Sequence, residues 1–253
     1  MYKNFIEGKK AAFFDLDDTL VETAPYWVMA FARVLSGIDK SVDALEVYEP
    51  GEPVSDQWKR ILLESDIKTQ LSVTELTQQT YNQFTQIIKG YDLVMKEGFW
   101  PLAFELKIEK EFKLACVTNS TKDTTWQILN KINADKTFDL VLCGDEVKRP
   151  KPAPDIYLTA ARKLRVKSSQ VLVFEDSVSG SKAAAKAKMD MLIVWDGVTE
   201  QSKFKGHIFA FLPNFNNLAG NLDKTYMEAL EDAAKRKEEF EKNPNQQTET
   251  KPQ

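Results

Sequence analysis

The chain has 253 residues, of which 43% are hydrophobic and 28% are charged, and its formal net charge is −4 at pH 7. This composition is typical of a folded soluble protein, and the negative charge argues against a nucleic-acid partner, because proteins that bind the phosphate backbone usually carry a basic surface. The sequence shows no signal peptide and no apolar stretch long enough to cross a membrane, so we expect a cytoplasmic protein without a membrane partner.

The first predicted element is a buried strand, the apolar run Ala11–Phe14, and two aspartates follow it. Asp15 and Asp17 stand two residues apart, so they would share one face if the chain stayed extended. Carboxylates are rarely buried unless paired or metal-bound, so the pair indicates a site at the strand's carboxyl end, although a solvated turn is the alternative. One carboxylate could be a nucleophile and the other could move a proton, with a divalent cation offsetting their repulsion.

The next segment, residues 23–98, has helical spacing, as Trp27, Phe31 and Val34 illustrate. We expect it to form a helical cap inserted between the first strand and the rest of the core. The turn residues at 50–53 break the helical pattern once. The segment 98–101 is then expected to be the linker that returns the chain to the core.

After the cap, strand-length apolar runs alternate with segments of helical spacing, which predicts a parallel sheet covered on both faces. The predicted strands are 114–117, 138–142, 171–174 and 191–194, with 207–212 as a possible edge strand, and the predicted helices are 121–131, 153–164 and 177–188. Two apolar runs contain Cys116 and Cys143, which we expect to be reduced core thiols. The core would thus comprise 1–22 and 99–220, and residues 221–253 are expected to form a helix that passes into a disordered polar tail.

Three further groups of polar residues stand where later strands end. Thr118 and Asn119 could form a phosphate cradle with backbone N–H groups, and a simple helix N-cap is the alternative. Lys151 stands between two prolines, and it could hold a phosphate or the nucleophile's carboxylate, or be a solvated loop lysine. Glu175 and Asp176 end a strand with the oxygen ligands that hard cations prefer, although a strand end and a helix cap would look the same. Together the four strand ends indicate a site far more strongly than any one of them.

In this order, the four groups resemble the four motifs of the haloacid dehalogenase superfamily of phosphotransferases. The matching stretches are 14–20, 117–119, 151–157 and 175–177, and the resemblance covers about residues 11–196. The last two motifs are similar to those of the branch that contains β-phosphoglucomutase and phosphoglycolate phosphatase, in which a helical cap follows the first motif. The resemblance implies an α/β fold with a Rossmann-like parallel sheet and an inserted cap. Asp18 stands where glycine is commoner in the family.

The resemblance also implies a role for each matching residue. Asp15 would attack phosphorus, and Asp17 would act as general acid and base. Mg²⁺ would be held by Asp15, by the backbone carbonyl of Asp17 and by Asp176, with Glu175 binding directly or through water. The phosphate-binding residues would be Thr118, Asn119 and Lys151. The expected activity is Mg²⁺-dependent hydrolysis of a small phosphorylated metabolite, of the sugar phosphate or phosphoglycolate type, through an aspartyl-phosphate.

Two other functions stay open at this point. In a phosphomutase of the β-phosphoglucomutase type, the cap grips a second phosphate. Here Trp27 falls where mutases place a histidine, and Asp56 falls near where they place an arginine, so a phosphatase is favoured. A non-catalytic binding protein would be expected to have lost its nucleophile.

Candidate substrate contacts in the cap are Tyr26, Trp27, Trp58 and Lys59, although helix packing is the alternative for the aromatic residues. The sequence does not give the oligomeric state.

Overall fold

The computed structural model of the chain describes residues 5–38, 42–65, 67–216 and 218–220. Within these residues the strands are β1 (Ala11–Phe14), β2 (Lys113–Val117), β3 (Leu140–Leu142), β4 (Val171–Glu175), β5 (Asp190–Val194) and β6 (Ile208–Leu212). They form one sheet in the order β3-β2-β1-β4-β5-β6, and every neighbouring pair is parallel. The predicted parallel sheet is therefore confirmed, with β6 as an edge strand.

The central strand β1 fixes where the polar residues meet. Phe14 lies opposite Cys116 of β2 on one side and Phe174 of β4 on the other. The carboxyl ends of the three strands are thus level, so Asp15, Thr118 and Glu175 all emerge at one edge of the sheet. Each strand is buried on both faces, which explains why its sequence reads as an apolar run without alternation.

Helices cover both faces of the sheet. The α-helices are α1 (Ala24–Leu35), α2 (Ala44–Val47), α3 (Val54–Glu64), α4 (Val73–Lys89), α5 (Phe99–Phe104), α6 (Lys122–Lys131), α7 (Asp155–Leu164) and α8 (Val178–Lys186). A π-helical turn, Glu105–Glu109, extends α5, and short 3₁₀ turns lie at Gly144–Glu146, Ser168–Gln170 and Gln201–Lys203. No helix among the described residues has the length and apolarity needed to cross a membrane.

Helices α1 to α4, called the cap helices below, all lie between β1 and β2 in the chain. Their apolar faces pack on one another: the ring of Trp27 stacks on Phe84 with centroids 3.7 Å apart, and Phe31 packs against Trp58 at 5.3 Å. The same hydrophobic cluster continues through Phe14 to one face of the sheet. The cap helices therefore share a core with the sheet instead of standing apart from it.

One segment differs from its sequence expectation. Residues 98–101 do not form a linker: Gly98 turns the chain with a φ of +80°, and α5 begins at the next residue. Pro101 suits this position because the first turn of a helix needs no backbone donor there. The division into domains at residues 22 and 98 stays a prediction, and the tail at 221–253 lies outside the described residues.

Candidate active site

The buried ammonium group of Lys151 holds Asp15 where β1 ends. Its Nζ donates hydrogen bonds to Asp15 Oδ1 and to Glu175 Oε1, both at 2.6 Å, and the residue is only 2% exposed. Burial lowers the pKa of Lys151, but the two carboxylates more than offset this and raise it above its ordinary value. The side chain is therefore a fixed cation in the site, and the alternative of a solvated loop lysine is excluded.

Glu175 anchors that lysine at the end of β4. Its Oε1 accepts hydrogen bonds from Lys151 and from the hydroxyl of Tyr157, the latter at 2.7 Å. Its Oε2 accepts three more, from the backbone N–H groups of Asp176 and Ser177 at 3.1 Å and from the Ser177 hydroxyl at 3.0 Å. With both oxygens engaged, Glu175 is built to position Lys151 and has little capacity left as a direct metal ligand.

Three carboxylates form an acidic cluster: one oxygen each of Asp15, Glu175 and Asp176 lies within 4.8 Å of the others. Burial raises the pKa of Asp15 to about 8 although Lys151 lowers it, and burial likewise raises the pKa of Asp176. Asp176 Oδ1 accepts the Thr19 hydroxyl at 2.8 Å, whereas Oδ2 of Asp15 and Oδ2 of Asp176 accept no donor from the described residues. Crowded carboxylate oxygens that lack donors are suited to a hard divalent cation, so these residues fit Mg²⁺.

The carboxylate of Asp17 lies apart from this cluster and is held by four side chains. Oδ1 accepts the Thr23 hydroxyl at 2.7 Å and the indole N–H of Trp27 at 2.9 Å. Oδ2 accepts the Ser120 hydroxyl at 2.7 Å, with the Thr118 hydroxyl further away at 3.4 Å. Two of these donors come from the start of α1 and two from the loop after β2, so both the cap helices and the core fix its orientation.

The turn that follows Asp17 explains why an aspartate stands at position 18. Asp18 has a φ of +56°, in the region that favours glycine, and aspartate is among the few other residues that tolerate it. Its Oδ1 accepts the backbone N–H groups of Thr23 and Ala24 at 2.9 and 3.0 Å, so it caps the start of α1. The backbone carbonyl of Asp17 accepts the N–H of Thr19 at 2.7 Å, which leaves it one lone pair for another partner.

The predicted phosphate-binding loop follows β2. Helix α6 is capped by the hydroxyl of Thr121, so neither Thr118 nor Asn119 is its cap. The side chain of Asn119 ties two loops together: Oδ1 accepts the N–H of Lys151 at 2.9 Å, and Nδ2 donates to the carbonyl of Gly51 at 3.1 Å. This leaves the Asn119 backbone and the Thr118 hydroxyl as the parts of this loop that can meet a phosphate.

A cavity of about 40 Å³, partly open to solvent, lies between the cap helices and the sheet. From the core, its lining includes most of the residues that the motifs predicted, namely Asp15, Asp17, Thr118, Asn119, Lys151, and also Ser120 and Ser177. From the cap side it is lined by Trp27, Tyr48, Gly51, Glu52, Pro53, Val54, Gln57 and Tyr81. The geometry thus brings the core candidates together around one small space.

Only one of the four predicted cap contacts, Trp27, lines this cavity. Trp58 instead lies in the core of the cap helices, where its indole N–H donates to the Thr80 hydroxyl at 2.8 Å. Helical spacing places Trp58 on the apolar face of α3, and this face packs against α4. Helix packing, the alternative to a substrate contact, therefore explains this residue.

The other two cap candidates also lie away from the cavity. Lys59 is exposed and pairs with Asp56 at 2.7 Å, one turn back on the same helix. Tyr26 packs against Tyr91, with ring centroids 5.1 Å apart. Helical spacing gives the face on which a residue lies, but not which neighbour that face meets.

Several residues of the site carried no usable signal in the sequence. Tyr48 and Tyr81 resemble ordinary helix-packing residues. Glu52 lies among the turn residues at 50–53, which in the sequence indicate only a break between helices. Ser120 is different, because it belongs to the same polar stretch as Thr118 and Asn119; the stretch therefore indicated it, although no separate role was predicted for it.

The sequence model of the family described as Haloacid dehalogenase-like hydrolase matches residues 12–194 of this chain. The phosphorylated carbohydrates phosphatase of Thermotoga maritima is 29% identical over 186 residues, covering 72% of this chain and 83% of that protein. The fructose-1-phosphate phosphatase of Escherichia coli is 28% identical, covering 72% and 94%. The phosphoglycolate phosphatase of Nitrosospira multiformis is 27% identical, covering 76% and 85%.

Solved structures show the same fold. CbbY from Rhodobacter sphaeroides, in complex with xylulose 1,5-bisphosphate, superposes with a TM-score of 0.72 at 24% identity, covering 85% of this chain and 99% of that one. A β-phosphoglucomutase from Clostridium difficile superposes with a TM-score of 0.71 at 23% identity, covering 87% and 98%. At such identities the likeness shows the fold alone.

Proposed function

This chain belongs to the haloacid dehalogenase-like hydrolase family, and we propose that it is a phosphatase that hydrolyses the phosphate monoester of a small metabolite, with Mg²⁺ as cofactor, through an aspartyl-phosphate. The observation that carries the proposal is the separate positioning of two aspartates. Asp15 is held by the buried ammonium of Lys151, and Asp17 is held by hydroxyl and indole donors. Sugar phosphates and phosphoglycolate, the substrates named for the relatives, define the proposed range.

In the first half of the reaction, a carboxylate oxygen of Asp15 attacks phosphorus and the bond from phosphorus to the ester oxygen breaks. Asp17 gives a proton to the leaving alcohol. Lys151 holds the Asp15 carboxylate through Oδ1, which fixes its position for this attack. The products of this half are the free alcohol and a phosphorylated Asp15.

In the second half, a water molecule gives a proton to Asp17 and attacks the phosphorus of the aspartyl-phosphate. The bond from phosphorus to the Asp15 oxygen breaks, which releases inorganic phosphate and restores both aspartates. The three close donors to Asp17, from Thr23, Trp27 and Ser120, keep its carboxylate in one place for both proton transfers.

Hydrogen-bond donors held in fixed positions would stabilise the negative charge on the transferring phosphoryl group. An ammonium group has three N–H bonds, and Lys151 spends two of them on Asp15 and Glu175, so the third is available to a phosphoryl oxygen. Thr118 and Asn119 line the same cavity, where the Asn119 backbone N–H and the Thr118 hydroxyl, once it turns from its long 3.4 Å contact with Asp17, would donate to phosphoryl oxygens. Such preorganised donors stabilise the transition state because they need no reorganisation during the reaction.

The metal would be held by Asp15, Asp176 and the carbonyl of Asp17. When bound, it would neutralise the crowded carboxylates and the phosphoryl oxygens. Glu175 would act through water, since its two oxygens already accept five hydrogen bonds.

The mutase remains the second candidate. The exposed pair of Asp56 with Lys59 lies outside the cavity, so Asp56 carries no weight in this choice. The named phosphatase relatives support hydrolysis over the mutase reaction.

A cytoplasmic location also stays a proposal from the sequence.

The test measures phosphate release from sugar phosphates, phosphoglycolate and nucleotides, with Mg²⁺ or with a chelator. We expect Mg²⁺-dependent release that falls at least about a thousandfold in Asp15→Asn, because the nucleophile is lost. Asp56→Asn is the matched control, since this aspartate is exposed and outside the cavity, and it should behave as wild type. Equal release by Asp15→Asn would contradict the proposal, and turnover of a hexose 1-phosphate only with a bisphosphate activator would favour the mutase.

A further inference from the structure

Among the described residues, those that line the cavity from the cap side include one acidic side chain and no basic one. Glu52 lines it, and the nearby Arg60 is turned onto that carboxylate: Nη2 and Nε donate to Glu52 Oε2 at 2.9 and 3.1 Å. Nη2 of Arg60 also donates to the carbonyl of Val47 at 2.9 Å. Among the described residues that line the cavity, the only cation is Lys151, which already contacts Asp15. A second anionic group on a substrate would therefore meet a carboxylate and no free cation.

The remaining polar groups on that side are neutral. Tyr48 and Tyr81 line the cavity, and the described residues give neither hydroxyl a hydrogen-bond partner. Burial raises the pKa of both phenols, and the nearby Asp17 raises them further, so both stay protonated donors. The ring of Tyr81 is fixed edge-on against Trp27, with centroids 5.4 Å apart. Neutral hydroxyl groups of this kind recognise alcohol groups on a ligand.

We propose that Glu52 makes the enzyme selective for phosphate monoesters whose alcohol part is uncharged and carries hydroxyl groups, such as small polyol or sugar monophosphates. This inference rests on the proposed function and narrows it. Substrates with a second phosphate or a carboxylate are disfavoured, because such a group would meet the Glu52 carboxylate while the nearby cation, Arg60, is already engaged by that carboxylate and by the carbonyl of Val47. Within the proposed range, sugar monophosphates are therefore preferred over phosphoglycolate and sugar bisphosphates.

The experiment compares two matched substrate pairs. The first pair is 2-hydroxyethyl phosphate and phosphoglycolate, which differ only in an alcohol or a carboxylate at the far carbon. The second pair is fructose 1-phosphate and fructose 1,6-bisphosphate. We expect wild type, with Mg²⁺, to favour the neutral member of each pair by at least about tenfold in kcat/KM.

The variant Glu52→Gln removes the charge but keeps an acceptor for Arg60. We expect both ratios to fall about tenfold, because the repulsion is lost and the charge of Arg60 is no longer neutralised. The matched control is Glu64→Gln. Glu64 contacts the same arginine at 3.9 Å but is exposed and does not line the cavity, so its loss should leave both ratios unchanged. Thermal unfolding of each variant shows whether it is folded.

The outcomes separate the two proposals. If wild type hydrolyses the anionic members as well as the neutral ones, or if Glu52→Gln leaves the ratios unchanged, the inference is wrong while the phosphatase assignment stands. If both glutamate variants change the ratios equally, the selectivity does not come from Glu52 at the cavity, and the inference is also overturned. If wild type releases phosphate from none of the four compounds, the proposed function fails.

Discussion

At the scale of single residues, the proposed acid and base is held by a side chain of the cap helices. Trp27 on α1 donates its indole N–H to Asp17 while its ring stacks on Phe84 of α4. The tryptophan therefore links the packing of the cap helices to the orientation of a carboxylate in the core. The sequence placed Trp27 at the site, but as a substrate contact.

We expect Trp27→Phe to lower kcat about tenfold, because the aromatic stack survives while one donor to a charged acceptor is lost. Tyr26→Phe is the control: Tyr26 is the adjacent residue and has no hydrogen bond to Asp17. Steady-state kinetics on the preferred substrate measure both variants. A kcat for Trp27→Phe equal to that of the control would show that the indole N–H does not position Asp17.

At the scale of elements, helix α8 is fitted to the carboxylate that positions Lys151. Gly180 lies in its first turn, and a Cβ there would come 1.7 Å from Glu175 Oε1. In an ordinary helix, alanine is about 1 kcal/mol more favourable than glycine. Here the methyl group would push Glu175 away from its five donors, so packing should outweigh helix propensity.

Gly180→Ala is therefore expected to destabilise the protein by about 2 kcal/mol, the usual cost of overpacking, and to lower activity through a displaced Lys151. Gly90→Ala serves as control, because Gly90 ends α4 with an ordinary φ of −89° and a Cβ there would meet its nearest atom at 3.6 Å. Urea denaturation and kinetics measure both. Stabilisation by Gly180→Ala would show that the glycine is not required by Glu175.

How far the sequence predicts these elements depends on where their partners lie. Strands buried on both faces read as apolar runs, so β1, β2, β4 and β5 could be placed within a residue or so. The helical insertion was also visible, because 3.6-residue spacing is a local property. The contact of Tyr157 with Glu175 was not, because it joins two elements that only the folded sheet brings together. The same reason explains why Trp27 and Trp58, alike in sequence context, have different partners.

At the scale of the whole molecule, buried carboxyl groups at the site make the folded state less stable as pH rises. Burial raises the pKa of Asp15 from 3.8 to about 8 and that of Asp18 to about 6, and the pKa of Asp176 is raised in the same direction. Between pH 4 and pH 8 the folded state thus binds more protons than the unfolded chain. Stability therefore decreases as pH rises through this window. Lys151 does not contribute there, because its ordinary pKa of 10.5 keeps it charged in the unfolded chain and its pKa in the folded state is higher still.

We accordingly expect the free energy of unfolding, measured without metal and with a chelator, to fall between pH 5 and pH 8. Mg²⁺ should raise it, and by more at pH 8 than at pH 5, because the metal binds the deprotonated carboxylates of the folded state only. Asp15→Asn removes one of these raised carboxyl pKa values, so its metal-free stability should depend less on pH, whereas the exposed Asp56→Asn should follow wild type. A metal-free stability that rises from pH 5 to pH 8 would mean that these carboxylates are already ionised and stabilised by the protein itself, and that Lys151 outweighs burial at Asp15.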